Sequence, residues 1–293
     1  MKKFHSNLQR DGFLGTLYQP DQNRFPGKAL VVVGGGDGMF SFTNAVAERI
    51  AQEGMTALAL AYWNRPGLRD TFTEIPLEYA ARAAAFLSSK GIKKIGMWGI
   101  SAGAEYTLLC GSFFPELFSA LVAVSPCAAV IQGFQMCNRT HLFPRPIDAS
   151  PFTYQGKPLA YVKTVDRSKE CIRQSLRRRT VYFKPGYAHN FERTTEENVI
   201  RAENCSGPIL LLAADQDDMW ESARSCQEIV KRLERKHYPH PVEYYHYPYG
   251  SHMLFPDCNS LKGMFRMERE HPREYGESCR DSFRKTLEFF RKW

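Results

Sequence analysis

The 293-residue sequence lacks any run of about 18 apolar residues, the length a helix needs to cross a bilayer, so no membrane span and no membrane partner are expected. Its start, MKKFHSNLQRDGFLGTLYQ, is basic but lacks the apolar stretch of a secretory signal, which gives the expectation of a cytoplasmic protein. The eight cysteines are scattered, from Cys110 to Cys279, with no C-x-x-C pair. In a chain of this length without a signal they read as reduced thiols, mostly buried as small hydrophobes, and the sequon Asn138-Arg139-Thr140 reads as a chance match. There is no internal repeat and no low-complexity segment. The formal charge of +8 favours anionic partners, yet the basic and aromatic residues form no recognisable nucleic-acid module, so no nucleic acid is expected.

What is present is an apolar share of 43%, enough to fill a sizeable core. KALVVVGGGDG, from Lys28, reads as a buried strand running into a tight loop. TNAVAERIAQEG follows with helical spacing and stops at Gly54; MTALALAYWN is a second continuous apolar strand. IPLEYAARAAAFLSSKG reads as an alanine-rich helix with Pro76 near its first turn and Gly91 closing it. IGMWGIS is a third strand, a helix opens at about Ala102, and ALVAVSP is a fourth strand. From about Cys127 to Gly207 the chain is rich in Arg, Tyr, Phe and Pro without a clear period. The pattern then resumes with GPILLLAADQDD, the helix WESARSCQEIVKRLERK, the strand PVEYYHYPYGSH and the helix SCRDSFRKTLEFFRKW. Uninterrupted apolar strands alternating with helices predict an α/β fold, a mostly parallel sheet covered on both faces. The expected organisation is one domain over 1–293 with a cap inserted at about 127–207.

Gly99-Ile100-Ser101-Ala102-Gly103 fits G-x-S-x-G and falls between a predicted strand and a predicted helix. A sharp turn there lifts the serine hydroxyl clear of the sheet, at a helix N-terminus where negative charge is favoured. The competing reading is a helix N-cap serine between close-packing glycines. A serine hydroxyl is a poor nucleophile at neutral pH and needs a base held by a third group. In this architecture the partners follow in the order serine, acid, histidine, each just after a later strand. The strand ILLLAA runs into Asp215-Gln216-Asp217-Asp218, and VEYYHYPYGSHM delivers His252. Asp217, a few residues past the strand end, is the choice as acid; Asp218 is the second choice, and Asp215 reads as loop structure. His246 falls within its strand. The group His237, His240, His246 and His252 lacks helical ligand spacing and a nearby carboxylate motif, so no metal is expected. The developing oxyanion needs donors: the amide of Ala102 supplies one, and the loop Gly34–Gly38 a second, with Asp37 or Gly38 as donor. That loop is not read as a phosphate cradle, because no G-K-[ST] follows and Met39 stands where G-x-G-x-x-G needs its last glycine. No cofactor is expected.

These residues resemble a known family: the catalytic domain shared by acyl-CoA thioester hydrolases and bile acid-CoA:amino acid N-acyltransferases, α/β-hydrolases related to dienelactone hydrolases. The resemblance rests on GGGDG…AVAERIAQEGMTALALAYWN, IPLEYAARAAAFL, KKIGMWGISAGAEYTLL, DQDDMWES and YPYGSHM. It implies the α/β-hydrolase fold, Ser101 in the nucleophile's place, Asp217 (three residues before Trp220) as the acid and His252 as the base. Amino-acid-conjugating members of the family resemble this pattern with cysteine as nucleophile and hydrolytic members use serine, so the resemblance implies transfer to water. The family's long enzymes carry a β-sandwich before the catalytic domain, whereas a short segment precedes Lys28 here, and Ala214 replaces a common glycine; without the sandwich a smaller ester becomes a second candidate substrate.

The insertion carries Arg167, Lys169, Arg173, Arg177, Arg178, Arg179 and Lys184. Arg173, Arg177, Arg178 and Arg179 are candidates to bind the phosphates of a coenzyme A, set against the plainer reading of a solvated helix face. Three functions remain: a serine hydrolase of acyl-CoA thioesters, which is preferred; a carboxylesterase or dienelactone-hydrolase-like enzyme on a small ester; and an inactive hydrolase fold serving as a binding module. The expected partner is a small-molecule acyl thioester or ester. Nothing in the sequence sets the oligomeric state.

Overall fold

The computed structural model describes residues 1–136, 144–256 and 263–293. The Asn138-Arg139-Thr140 sequon lies outside the described residues. The apolar runs of the sequence become strands β3 (Lys28–Val33), β4 (Thr56–Ala61), β5 (Lys94–Ile100), β6 (Ala120–Val124) and β7 (Ile209–Ala214), followed by β8 (Val242–Tyr247). Two further strands, β1 (Lys2–His5) and β2 (Leu14–Gln19), precede them. One eight-stranded sheet runs β1-β2-β4-β3-β5-β6-β7-β8. From β4 to β8 every neighbour is parallel; β1 on β2 and β2 on β4 are antiparallel. This is the mostly parallel sheet that the sequence predicts, with an antiparallel edge added.

Five principal helices cover the two faces. They are α1 (Phe40–Gln52), α2 (Glu78–Ser89), α3 (Ala102–Phe113), α5 (Ser222–Arg235) and α6 (Pro272–Lys292). Alternate strand residues separate the core into two layers, because successive side chains in a strand point to opposite faces. Val31, Val33, Leu58, Met97 and Leu211 pack under α2, α3 and α5, while Leu30, Val32, Trp98, Val122 and Leu212 pack under α1 and α6. Burial on both faces is why these strands read as unbroken apolar runs.

Two boundaries differ from the sequence reading. Pro76 is not in the first turn of α2: Ile75 and Pro76 pair in parallel with Phe152 and Thr153, and the helix starts at Glu78. Helix α6 starts at Pro272, six residues before Ser278, since proline is tolerated in the first turn and Gly276 is carried in the helix interior.

The chain between β6 and β7 makes short strands and the helices α4 (Ser168–Arg178), Lys184–Tyr187 and Asn190–Arg193. It is tied to α5 by Arg232, which is buried and forked onto Glu203 (2.6 and 2.8 Å) and Glu196 (2.9 and 3.0 Å). Cys110, Cys127, Cys171, Cys205, Cys226 and Cys279 are free and buried. No helix among the described residues is long and apolar enough to cross a membrane.

Candidate active site

Ser101 links β5 to α3 with φ 61° and ψ −131°, a left-handed backbone that a residue with a side chain rarely adopts. The two motif glycines explain how the turn fits. A Cβ on Gly99 would stand 2.1 Å from the Gly103 carbonyl oxygen, and one on Gly103 would stand 2.1 Å from the Gly34 carbonyl oxygen. The glycines let α3 press against the sheet, and the pressed turn holds Ser101 at its positive φ. The Ser101 amide donates to the Val124 carbonyl (2.8 Å), which fixes the turn to the end of β6.

The next residue of that strand end reaches the histidine. Ser125, itself at φ 50°, donates its hydroxyl to the His252 carbonyl at 2.9 Å. Its own carbonyl accepts Trp220 Nε1 at 3.1 Å, and the Trp220 ring stands edge-on to the imidazole, centroids 4.7 Å apart. His252 Nδ1 lies 2.9 and 3.1 Å from the two Asp217 oxygens. Asp217 Oδ1 also accepts the Met219 and Trp220 amides (2.8 and 3.3 Å). A carboxylate that accepts two amides leaves Nδ1 as the donor, so in the neutral imidazole His252 Nε2 presents a lone pair. Nε2 is buried and has no hydrogen-bond partner among the described residues. Side chains this well buried (Ser101 8%, His252 3%, Asp217 1% exposed) leave little room for bulk water.

The neighbouring aspartates have other partners. Asp218 accepts the Thr180 hydroxyl at 3.1 Å; burial pushes its carboxyl above the usual carboxylate value, and the hydroxyl pulls it back. Asp215 meets the exposed His246 at 3.0 Å. Asp37 is also raised by burial, opposed by the Met39 amide.

Within the glycine loop, Gly35 and Gly36 lie nearest the serine. A Cβ on Gly35 would be 3.2 Å from Ser101 Cβ, and one on Gly36 would be 3.4 Å from Ala102 Cβ. Gly38, at φ +66°, faces the Asn64 side chain instead, and Asp37 turns its carboxylate onto the Met39 amide. Arg173, Arg177, Arg178 and Arg179 are all exposed at α4. Arg173 is paired with Glu170 (2.6 Å), Arg178 lies over the Tyr182 ring (4.3 Å), and no contact among the described residues joins the four to Ser101 or His252. His237 and His240 stand apart from His252, and no group of three or more metal-ligating side chains occurs among the described residues.

Sequence reasoning missed Ser125 and Glu105. Glu105 sits one turn after Ser101, is buried, and accepts the Ile131 amide at 3.1 Å. Burial pushes its carboxyl well above the ordinary value of 4.5, only partly offset by that amide. A carboxylate four residues after the serine in an otherwise apolar helix was the available signal.

Residues 75–293 match the family described as BAAT / Acyl-CoA thioester hydrolase C terminal. The chain belongs to this family. It is 27% identical over 301 residues to human acyl-coenzyme A thioesterase 1, covering 95% of this chain and 62% of that protein. It is 25% identical over 260 residues to mouse acyl-coenzyme A amino acid N-acyltransferase 1, covering 87% of this chain and 55% of that one. The chain thus spans little more than half the length of the curated relatives it matches. Among solved structures, an alpha/beta hydrolase enzyme from a Medee basin deep-sea metagenome library superposes with a TM-score of 0.57 at 16% identity, over 100% of this chain and 97% of that one. A dienelactone hydrolase-like promiscuous phosphotriesterase from metagenomic libraries superposes with a TM-score of 0.52 at 13% identity, over 99% and 97%. These likenesses establish the α/β-hydrolase fold.

Proposed function

We propose that the protein is a serine hydrolase of acyl thioesters, with acyl-CoA as the substrate class. One observation carries the reading: a buried imidazole oriented by Asp217 keeps its second nitrogen unpaired, and the adjacent residues Val124 and Ser125 tie the backbones of Ser101, held at positive φ, and His252 to one strand end. An unpaired buried polar atom costs about 1–3 kcal/mol, a cost with a purpose if that nitrogen receives a proton during the reaction. Ser101 Oγ attacks the thioester carbonyl carbon and His252 Nε2 takes its proton. Asp217 offsets the imidazolium charge. Amides of Ala102 and the Gly34–Gly38 loop bind the oxyanion. The thiolate leaves with the proton from His252, giving a free thiol and an acyl-Ser101 ester. Water, deprotonated by His252, then attacks that ester and releases the carboxylic acid and the serine. Relatives named as acyl-CoA thioesterases support the leaving group.

A second reading, hydrolysis of a small oxygen ester by the same groups, draws on the burial of Ser101 and His252. Turnover of acyl-CoA thioesters of graded chain length, set against p-nitrophenyl acetate, tests the proposal. Acyl-CoA is expected to give the higher kcat/KM; turnover of the aryl ester alone would select the second reading.

A further inference from the structure

Helix α4 is docked with its apolar residues outward. Lys169, Ile172, Arg173, Leu176 and Arg177 recur at spacings of three and four, which places them on one stripe of the helix. In a surface helix, such a stripe normally turns its apolar members to the core. Here Leu176 is 76% and Ile172 36% exposed, with Lys169, Arg173 and Arg177 exposed beside them. The inward side is small or polar. Cys171 is buried with its thiol directed at the Phe183 carbonyl (3.8 Å), and the Ser175 hydroxyl accepts the Tyr182 amide at 3.0 Å. Packing against the protein therefore uses the weaker face, and the face that would gain most by burial is left out.

The charges around that face are mainly positive. Five cations (Lys169, Arg173, Arg177, Arg178 and Arg179) stand against two carboxylates: Glu170, which Arg173 already engages, and Asp166 at the helix start, near Lys169. Neither Arg177 nor Arg179 has an ion-pair partner among the described residues. Exposed aliphatic side chains among cations, with Arg177 unpaired beside Leu176, match a surface that is apolar just beneath a layer of negative charge.

We propose that α4 is an interfacial helix that seats the protein on an anionic lipid surface. Leu176 and Ile172 enter the boundary between headgroups and acyl chains, while the flanking cations meet the lipid phosphates. The absence of a spanning run, which led to no membrane partner being expected, does not bear on a helix lying at the surface. The inference stands apart from the serine-hydrolase reading, because it uses none of the groups at Ser101.

Flotation of the whole chain with phosphatidylcholine vesicles, with and without phosphatidylglycerol, at low and high salt, tests it. Binding is expected only to the anionic vesicles and is expected to weaken with salt. Arg177→Ala lowers it about fivefold. Leu176→Ser lowers it about tenfold or more. The thermal midpoint should stay in place for both variants, since these side chains make few contacts. Failure of the wild type to float with anionic vesicles, equal flotation with neutral ones, or undiminished binding by the folded variants would overturn the proposal. So would a concentration-dependent oligomer that Leu176→Ser abolishes without any vesicle binding, which would assign the face to a second copy of the chain.

Discussion

His252 places Nδ1 2.9 Å from Asp217 Oδ2 and buries Nε2 with no partner among the described residues. The pair is held from both ends: amides of the following loop fix the carboxylate, and the Ser125 hydroxyl fixes the histidine backbone. If this arrangement sets the tautomer, Asp217→Asn inverts the pairing at Nδ1. That variant is expected to lower kcat by about 10³–10⁴-fold with the fold intact. Asp218→Asn should leave kcat within about tenfold and instead lower stability by about 1–2 kcal/mol, because its carboxylate serves Thr180. Steady-state kinetics with urea unfolding of both variants separates the two aspartates.

Asp217 follows the end of an unbroken apolar strand, ILLLAA, whereas His252 follows VEYYHY, a half-buried strand interrupted by Glu243 and His246 and recognised by its place in the order of elements. The unbroken strands were legible because of burial on both faces. Strand β1 was not, since the edge strand KKFH is mostly exposed and shows no apolar run, and β2, LGTLYQ, is buried but its run is broken by Gly15 and Thr16. Ser125 and Glu105 escaped because their meaning lies in tertiary partners: Ser125 meets a carbonyl 127 residues away, and Glu105 an amide 26 residues away.

The close approach of α3 to the glycine loop makes Gly103 intolerant of a methyl group. Gly103→Ala would put its Cβ 2.1 Å from a backbone oxygen that cannot move without displacing β3. A loss of about 3 kcal/mol or more is expected in urea unfolding. Gly186→Ala, where no atom lies within 4 Å of the added carbon, should stay within about 0.5 kcal/mol.

Glu105 ties stability to pH with an unusual sign. Its folded-state value is raised well above 4.5 by burial. The groups facing it are Tyr62, Cys127 and Tyr187, none of them cationic. A carboxyl raised on folding binds its proton more tightly in the native state. Its contribution is therefore full below the unfolded value and is lost as pH rises toward the folded one. Glu105→Gln keeps an acceptor for the Ile131 amide and cannot ionise. Its Tm is expected to equal that of the wild type below pH 4.5 and to exceed it by a growing margin above. Calorimetric scans over that range check this; parallel curves for the two proteins would contradict it.

Covalent capture by a fluorophosphonate probe, followed by peptide mass mapping, asks most directly whether Ser101 is activated. A single adduct on Ser101 is expected, absent from Ser101→Ala and formed roughly 10³-fold more slowly in a folded His252→Ala. Equal labelling of Ser101→Ala, or wild-type protein that stays unlabelled, would contradict the account.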